Sequence, residues 1–471
     1  MGATDSKRIE MEVKGKRVLV VGLGKSGVAS ALFLQSLGAR VTVSDAKSQE
    51  QLRDEIPALL DKGIVVETGK HGERTFHDQD LIVVSPGVPY DVPPLQQARR
   101  LGVAVIGEIE LAACFLTGNI VAITGSNGKT TTTTLTGEII ASGGQRTLVG
   151  GNIGTPAITF VEQSSPETWV VLEISSFQLE TVETFRPKIS SVLNVTPDHL
   201  DRHGSMDNYI ASKARIFENQ TEDDLAVLNA DDEVTVKMSA GIRPKVYWFS
   251  RRKEVSVGTF VRDGKIIFRD TNGEREIMPV SEIKLKGAHN VENALAAVAI
   301  GALAGVEPEK IRRAVRDFKA VEHRLEYVAT LNGVEYYNDS KATNVDATIK
   351  ALESFDGNIH VILGGKDKGS DYSVLQELLR ERVKRVYTIG AAAEKIESQV
   401  TGATAITRAH TLENAVRKAA EMAAAGDVVL LAPACASFDQ FENYEQRGKA
   451  FKEAVQQLAR LQVAQKSGDK Q

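Results

Sequence analysis

Cysteine is nearly absent from this sequence. Among 471 residues there are two, Cys114 and Cys435. They are too few and too far apart for a disulfide framework, and they suit a reducing cytoplasm. Positive charge is not in excess either: 57 Lys and Arg stand against 62 Asp and Glu, a net charge of -5. That excludes a general polyanion binder, because a nucleic-acid backbone calls for a basic surplus. No apolar run approaches the ~18 residues of a membrane span. The opening MGATDSKRIE lacks the apolar core of a signal peptide. Met1-Gly2-Ala3-Thr4-Asp5-Ser6 fits a myristoylation pattern formally, without a polybasic second anchor. What remains, 42% hydrophobic and 25% charged, reads as a soluble cytoplasmic protein of about three domains. No coiled-coil heptad is present to suggest anything but a monomer.

The densest signal is Ile120–Thr134, IVAITGSNGKTTTTT. An apolar β-branched run ends in Gly125-Ser126-Asn127-Gly128-Lys129-Thr130-Thr131, and a Thr-rich helix start follows. Glycines let backbone N–H groups approach a polyphosphate, the lysine offsets its outer charge, and the hydroxyl beside it can hold Mg²⁺. A glycine turn before a helix also occurs as plain punctuation, and here only Ser126 and Asn127 separate Gly125 from Gly128. The strand before and the helix after supply the context that a nucleoside triphosphate site requires.

Three α/β units follow from the pattern. In the first, a strand at Lys16–Val21 leads into Gly22-Leu23-Gly24-Lys25-Ser26-Gly27, a helix, and a strand at Arg40–Ser44 ending at Asp45. This βαβ unit with GxGxxG and a following acid suits a dinucleotide, a nucleotide sugar, or no ligand at all. Leu81–Val84 is another buried strand, ending in Ser85-Pro86-Gly87. In the second unit Trp169–Leu172, Ser190–Val195 and Leu225–Leu228 read as strands. Residues Val246–Ile283 alternate, with hairpin signals at Asp263-Gly264 and Asn272-Gly273, so a small antiparallel addition is expected there. Ala288–Ala304 and Pro308–Phe318 read as helices. In the third unit the strands are Ile359–Leu363, Arg385–Ile389 and Val428–Leu431, and the tail Gln462–Gln471 reads as frayed.

Other constellations lie at strand ends, where α/β sheets bind ligands. Glu173 closes an apolar run, as a Mg²⁺-holding carboxylate beside a phosphate loop does, or as any strand-end acid. His199 and His203 lie four apart between Pro197 and Gly204. A zinc helix there would be too short, so His199 reads as a Mg²⁺ or Mn²⁺ ligand and His203 as a polar loop residue. Lys213, in an amphipathic stretch Tyr209–Glu218, reads as a solvated lysine. Asn338-Asp339-Ser340-Lys341-Ala342-Thr343-Asn344 suits a helix start capped by Asp339 or Ser340. Ser437-Phe438-Asp439-Gln440-Phe441 follows the last strand.

In order and spacing these segments resemble the Mur ligases, ATP-dependent amino-acid-adding enzymes of peptidoglycan precursor synthesis, and among them the D-glutamate-adding type. VGLGKSG, SPGVP, TGSNGKTT, GGNIG, LEISSFQLE, NVTPDHLDRH, HNVENALAA, NDSKATN, GGKDKG and ACASFDQF carry the likeness over about 420 residues. The resemblance implies a Rossmann-like domain over residues 1–110, a P-loop ATPase-like domain over 111–320 and a second Rossmann-like domain over 321–471. Its substrates would be UDP-N-acetylmuramoyl-L-alanine, D-glutamate and ATP, with two Mg²⁺. Gly22, Gly24, Lys25, Ser26, Asp45, Ser85 and Gly87 would hold the UDP. Lys129 and Thr130 would hold ATP phosphates and Mg²⁺. Asn152, Glu173, Ser175 and His199 match positions around the metals and the substrate carboxylate. Asn290 and Asn293 match positions near ATP, as do Asp339 and Lys341, and Arg324 matches an arginine brought toward the γ-phosphate. Thr343, Lys368, Ser437 and the segment through Tyr444 match the glutamate site. At Tyr444 the family carries Phe about as readily.

The resemblance also implies that Lys213 is carbamylated, turning a cation into an anionic Mg²⁺ ligand. Rival readings are a sibling Mur ligase or a folylpolyglutamate synthase-like ligase, a dehydrogenase using GxGxxG and Asp45, and an ATPase that transfers nothing. If the carbamate reading holds, Lys213→Ala loses most activity, and Lys213→Glu or added short carboxylic acids restore part of it. A fully active Lys213→Ala, measured by phosphate release, would sink it.

Overall fold

The computed structural model describes residues 11–70, 72–319 and 321–468. The segment Met1–Ser6, with its myristoylation-like pattern, lies outside them. Three sheets make up the fold. The first contains β1 (Arg17–Val21), β2 (Arg40–Asp45), β3 (Val65–Thr68), β4 (Leu81–Val84) and β5 (Ala104–Gly107), all parallel, in the order β3-β2-β1-β4-β5. The second contains β6 (Asn119–Thr124), β7 (Thr147–Gly151), β8 (Trp169–Glu173), β9 (Ile189–Val192), β10 (Leu225–Asn229) and β11 (Lys245–Ser250), followed by β12 (Gly258–Arg262), β13 (Lys265–Asp270) and β14 (Gly273–Pro279). Its order is β14-β13-β12-β11-β10-β9-β6-β8-β7. The third contains β15 (Glu326–Leu331), β16 (Val334–Asn338), β17 (Ile359–Gly364), β18 (Val383–Ile389), β19 (Ala405–His410) and β20 (Val428–Leu431), ordered β15-β16-β20-β17-β18-β19.

The chain forms two compact units. One holds the first two sheets, up to Val195 together with Asp207–Val280 and Ala294–Val315. The other holds Thr196–Met206, Ser281–Asn293 and the chain from Arg316 on. Parallel strands covered on both faces favour apolar side chains, and most strand positions comply; the buried exceptions Ser190, Ser191 and His360 are hydrogen-bonded to Gln220, the Val227 carbonyl and Asp427. In the third sheet Val361, Leu363 and Leu430 pack into one cluster, while Ile362, Val429 and Leu431 pack into the other with Val416 and Phe451. Successive residues thus serve opposite faces.

In the first unit two carboxylates join the first sheet to the second. Buried Glu110 accepts the N–H groups of Glu183, Thr184 and Phe185 at 2.9, 2.7 and 3.0 Å. Glu108 accepts the Ile158 N–H at 3.0 Å. Burial pushes the Glu108 carboxyl up to about 7, against the pull of the Ile158 and Ala157 N–H groups.

Several expected boundaries move. The strand expected at Ser190–Val195 ends at Val192, and Leu193–Val195 run on as loop. The antiparallel addition is continuous with the second sheet: β11 pairs parallel with β10 and β12, and antiparallel pairing starts at β12. Its outer strands carry a charge ladder. Arg262 and Arg269 both meet Glu254 and Glu274, and Lys265 meets Glu276 at 2.9 Å. The helix around Lys213 starts at Met206 and becomes a 3-10 turn at Arg215–Phe217. Of the tail expected to fray, residues 462–468 continue the helix Tyr444–Gly468, and residues 469–471 lie outside the described residues. Among the described residues no helix is long and apolar enough to cross a membrane.

Gly151 closes β7 with φ +98°, and a Cβ there would lie 2.4 Å from the Glu173 carbonyl oxygen. A left-handed backbone conformation alone costs an L-residue ~1–2 kcal/mol. Gly151→Ala is expected to lose at least that much stability in a denaturant titration; a midpoint unchanged from the parent would contradict the close packing.

Candidate functional site

The order of each sheet decides which loops meet. In the second sheet β6 sits between β9 and β8, so the loops leaving their C-terminal ends are neighbours. The loop after β6 runs through Gly125 and Gly128 into the helix Lys129–Ser142. Gly125 has φ +154° and Gly128 φ +84°, conformations that suit glycine. The chain after β9 braces this loop. Asn194 accepts the Asn127 N–H on its side-chain oxygen at 2.9 Å, returns a bond to the Asn127 carbonyl at 3.1 Å, and accepts the Ser126 N–H on its own carbonyl at 2.9 Å.

Side chains then converge. Lys129 Nζ donates to the carbonyls of Gly125 and Ser126, both at 2.9 Å. The Thr130 hydroxyl donates to Glu173 Oε2 at 2.6 Å, and Asn152 Nδ2 donates to Glu173 Oε1 at 2.8 Å. The Asn152 N–H also bonds the Glu173 carbonyl at 2.8 Å. One line therefore runs from Asn152 through the strand-end carboxylate to the phosphate loop. Thr131, next in the helix, is buried. Lys213 is 1% exposed, so the solvated-lysine reading is overturned. Its Nζ donates to the Gly125 carbonyl at 2.9 Å and lies 4.4 Å from the centre of the Tyr209 ring, whose hydroxyl meets Ser126 Oγ at 3.0 Å. The hydroxyl and carboxylate of Thr130 and Glu173 are hard oxygen donors of the kind Mg²⁺ takes.

In the first sheet several expected ligand contacts serve the glycine loop itself. Asp45 accepts the N–H groups of Leu23 at 2.6 Å and Lys47 at 2.8 Å. The Ser85 hydroxyl donates to the Gly22 carbonyl at 2.7 Å. Gly24 precedes the helix Lys25–Ser36, with Lys25 exposed and Ser26 half-buried beside it. Gly87 is exposed in the turn after β4. Ser175 closes a capping box with Gln178, each taking the other's backbone N–H.

In the second unit, β16, β20 and β17 are adjacent, which brings the Asn338–Asn344, Cys435–Phe441 and Gly364–Gly369 loops side by side. The helix after β16 is capped by Asn344, which accepts the Ala347 N–H at 2.8 Å, and not by Asp339 or Ser340 as expected. The Ser340 hydroxyl donates to the Tyr444 carbonyl at 2.8 Å. Buried Arg447 holds Ser340 Oγ and the carbonyls of Ser340 and Cys435 at 2.9, 2.7 and 3.1 Å. Lys341 Nζ lies 4.0 Å from the centre of the Tyr444 ring. Thr343 follows it, its N–H on the Lys341 carbonyl at 2.7 Å. Burial pushes the half-buried Asp339 carboxyl up to about 7, against the Leu325 N–H and the charges of Arg324 and Arg447. Arg324 stands between His323 (φ +65°) and Leu325 (φ +42°). Asn290 and Asn293 are buried and bonded to each other at 3.0 Å. Ser437 is buried at the start of its loop.

His199 has φ +53° and precedes the single helical turn Leu200–His203, so the two histidines do not sit on a long helix. His203 is buried and not a polar loop residue. Beside His199, Asp198 takes Lys368 Nζ at 3.0 Å and Asn344 Nδ2 at 3.0 Å. Elsewhere Glu322, His323 and Glu326 converge, but Lys452 already bonds both carboxylates.

Family models match most of the chain. Residues 16–107 match a Mur ligase MurD-like N-terminal domain, 123–301 a Mur ligase middle domain, and 323–435 a Mur ligase glutamate ligase domain. A UDP-N-acetylmuramoylalanine–D-glutamate ligase of Koribacter versatilis is 68% identical over 95% of this chain and 99% of its own length. One from Acidobacterium capsulatum is 61% identical over 94% of this chain and 97% of its own. Among solved structures, a pseudomurein peptide ligase type C from Methanothermus fervidus superposes with TM-score 0.61 at 20% identity, covering 94% of this chain and 100% of that one. A UDP-N-acetylmuramate-alanine ligase from Thermotoga maritima gives 0.59 at 20% identity, covering 94% and 99%. The chain belongs to the Mur ligase family, and the fold it shares with these structures is the one described above.

Asp198 yields a pH test. Burial opposes its charge, but Lys368 and His199, with hydrogen bonds from Lys368 and Asn344, hold the carboxyl at about 2, below its ordinary 3.8. A depressed carboxylate stabilises the fold above its unfolded value and loses that contribution as pH falls through the folded one, here between about 4 and 2. The contribution is on the order of 2 kcal/mol. Lys368→Met is expected to be less stable than the parent at pH 7, with the gap closing toward pH 2. A gap that is constant across thermal melts from pH 2 to 7 would contradict the pairing.

Proposed function

We propose that this chain is an ATP-dependent ligase that joins D-glutamate to UDP-N-acetylmuramoyl-L-alanine in peptidoglycan precursor synthesis. The observation that carries the reading is the bonded line Asn152–Glu173–Thr130 beside Lys129, in a chain 68% identical to a ligase of that name. We assign residues 1–110 to the UDP-sugar substrate, 111–320 to ATP and 321–471 to the amino acid. The two free cysteines suit a reducing cytoplasm, and a monomer working on small molecules suffices for the chemistry.

A carboxylate acylates poorly because its leaving group would be oxide. In the proposed reaction a substrate carboxylate oxygen attacks the γ-phosphorus of ATP, the bond to ADP breaks, and an acyl phosphate forms. The D-glutamate amine attacks the acyl carbon and loses a proton, and inorganic phosphate leaves. Triphosphate, carboxylate and amino acid are all anionic, so the site must offset their repulsion. Lys129 is assigned to the phosphates, with Gly125, Asn127, Gly128 and Thr131 shaping the cradle. Asn290, Asn293, Asp339 and Lys341 are assigned to ATP, and Arg324 to the transferring phosphoryl group. Thr130, Glu173, His199 and Lys213, the last as its carbamate, would hold Mg²⁺, which when bound screens the polyphosphate. Asn152 and Ser175 are assigned to the UDP-sugar's acyl end; Gly22, Gly24, Lys25, Ser26, Asp45, Ser85 and Gly87 form its UDP loop. Thr343, Lys368, Ser437 and Tyr444 are assigned to glutamate, with Lys368 exchanging Asp198 for a substrate carboxylate.

Phosphate release from ATP, measured with UDP-N-acetylmuramoyl-L-alanine and either D-Glu, L-Glu, L-Lys or no amino acid, tests the reading. Release with D-Glu alone, and a product heavier by one glutamyl unit, is expected. Release with another amino acid would move the chain to a sibling activity, and equal release in every tube would defeat the ligase reading.

A further inference from the structure

The loops that carry Lys368 and Ser437 are tied together by side chains to which none of the roles above is assigned. Asp367 precedes Lys368, and both its carboxylate oxygens are occupied. Oδ1 accepts from the Tyr372 hydroxyl at 2.8 Å and from the Ser370 N–H at 3.2 Å; Oδ2 accepts from Lys395 Nζ at 2.7 Å. Tyr372 is fully buried, and its hydroxyl oxygen also lies 3.0 Å from Cys435 Sγ. A phenol has one proton to give. With that proton on Asp367, the oxygen acts as acceptor toward Cys435, so the thiol donates. The chain runs in one direction, from Cys435 to Tyr372 to Asp367. Protonation agrees: burial pushes the Cys435 thiol up to about 11, and burial likewise raises the Tyr372 phenol. At Asp367 burial is outweighed by Lys395, Tyr372 and the Ser370 N–H, which hold the carboxyl below its ordinary range.

The tie closes into a circuit. Lys395 lies on the helix Ala393–Val400. Asp439, from the Ser437 loop, accepts the Ala391 N–H just before that helix at 2.9 Å, and the Ala392 N–H bonds the Gly365 carbonyl at 2.9 Å. Lys366 and Ala436 exchange backbone hydrogen bonds at 2.8 and 3.2 Å. The two loops are joined directly, through Tyr372 and through the helix, so neither can shift without the other.

We propose that Asp367 is a positioning residue which, through Tyr372 and Cys435, fixes the separation of Lys368 from Ser437 and thereby the length of dicarboxylic amino acid accepted. This rests on the glutamate reading of those two residues. A substrate with a carboxylate at each end is gauged by the spacing of the groups that receive them, and one methylene of misfit is worth about 10–200-fold in discrimination.

Tyr372→Phe keeps the ring and removes the hydroxyl shared by both loops. KM for D-glutamate is expected to rise about 10-fold while KM for ATP stays within about twofold, and preference for D-glutamate over D-aspartate should weaken. Cys435→Ser, which keeps a donor, should retain the parent's KM for D-glutamate, whereas Cys435→Ala should not; this pair carries the test if Tyr372→Phe does not fold. A lower melting temperature with all KM values unchanged, or KM values that rise together, would overturn the proposal. Amide exchange needs no amino acid: in Tyr372→Phe, residues 365–371 and 434–438 should lose protection together, and loosening of one alone would overturn it. If the parent protein releases no phosphate with D-glutamate yet both loops loosen together in the variant, the substrate assignment fails and the coupling of the loops stands.

Discussion

Parallel pairing governs where this protein can place its chemistry. A strand buried on both faces holds a polar side chain only where a fixed partner meets it, as Gln220 meets Ser190 and Asp427 meets His360, so most polar groups collect where the strand ends. Because the core strands run the same way, those ends share an edge. Strand order then decides which motifs meet: β6 between β9 and β8 sets the phosphate loop beside Asn194 and Glu173, and β20 between β16 and β17 aligns the three loops of the third sheet. The loops are not loosely hung there. Asn194 makes three bonds to the phosphate loop, and Arg447 makes three to the loops after β16 and β20. Buried guanidinium groups with no carboxylate within bonding distance are costly unless their N–H groups find fixed acceptors. At Arg447 those acceptors are backbone and hydroxyl oxygens, which makes the loop geometry a condition of its burial.

Much of this was legible in the sequence, because apolar runs closed by glycine-rich turns mark parallel strands and their exits. The strands at Leu81–Val84 and Val428–Leu431 match residue for residue, and the first hairpin turns at Asp263-Gly264 as expected; the second turns one residue earlier than Asn272-Gly273, at Thr271-Asn272, with Gly273 already paired to Asp270. Lys213 was illegible to periodicity. A lysine on a helix normally faces water, and only the meeting of its helix with the Gly125 loop, 88 residues earlier in the chain, shows that it does not. Ser175 sits in a readable local signal, since Ser-Ser-Phe-Gln is the spacing of a capping box. Asn194, Asp198 and Arg447 act through partners distant in sequence, as Tyr372 does toward Cys435, and the motifs around them do not say which partners they meet.

Several residues that a motif would assign to a ligand are occupied by the protein's own backbone. Asp45 holds Leu23 and Lys47, and Ser85 holds Gly22. These bonds shape the glycine loop, so a motif residue can matter to a substrate without touching it. Lys129 and Lys368 are likewise engaged, on carbonyls and on Asp198. A cation already bonded within the protein is preorganised in direction, and it meets an anion with less loss of side-chain freedom than a solvated one.

The charge ladder on β12, β13 and β14 bears on the molecule's company. The second sheet ends at β14, whose first four residues are exposed. An unpaired strand edge is an open template for the edge of another chain. Here Arg262, Lys265, Arg269 and Arg275 alternate with Glu254, Glu274, Glu276 and Asp270 across that border. A strand added to that edge would lie beside the charged side chains of Glu274, Arg275 and Glu276 and would have to match or displace their pairing. The ladder thus acts as a terminus at the β14 edge of the sheet, and that last hairpin is the natural place to append a tag or label without disturbing what lies inside.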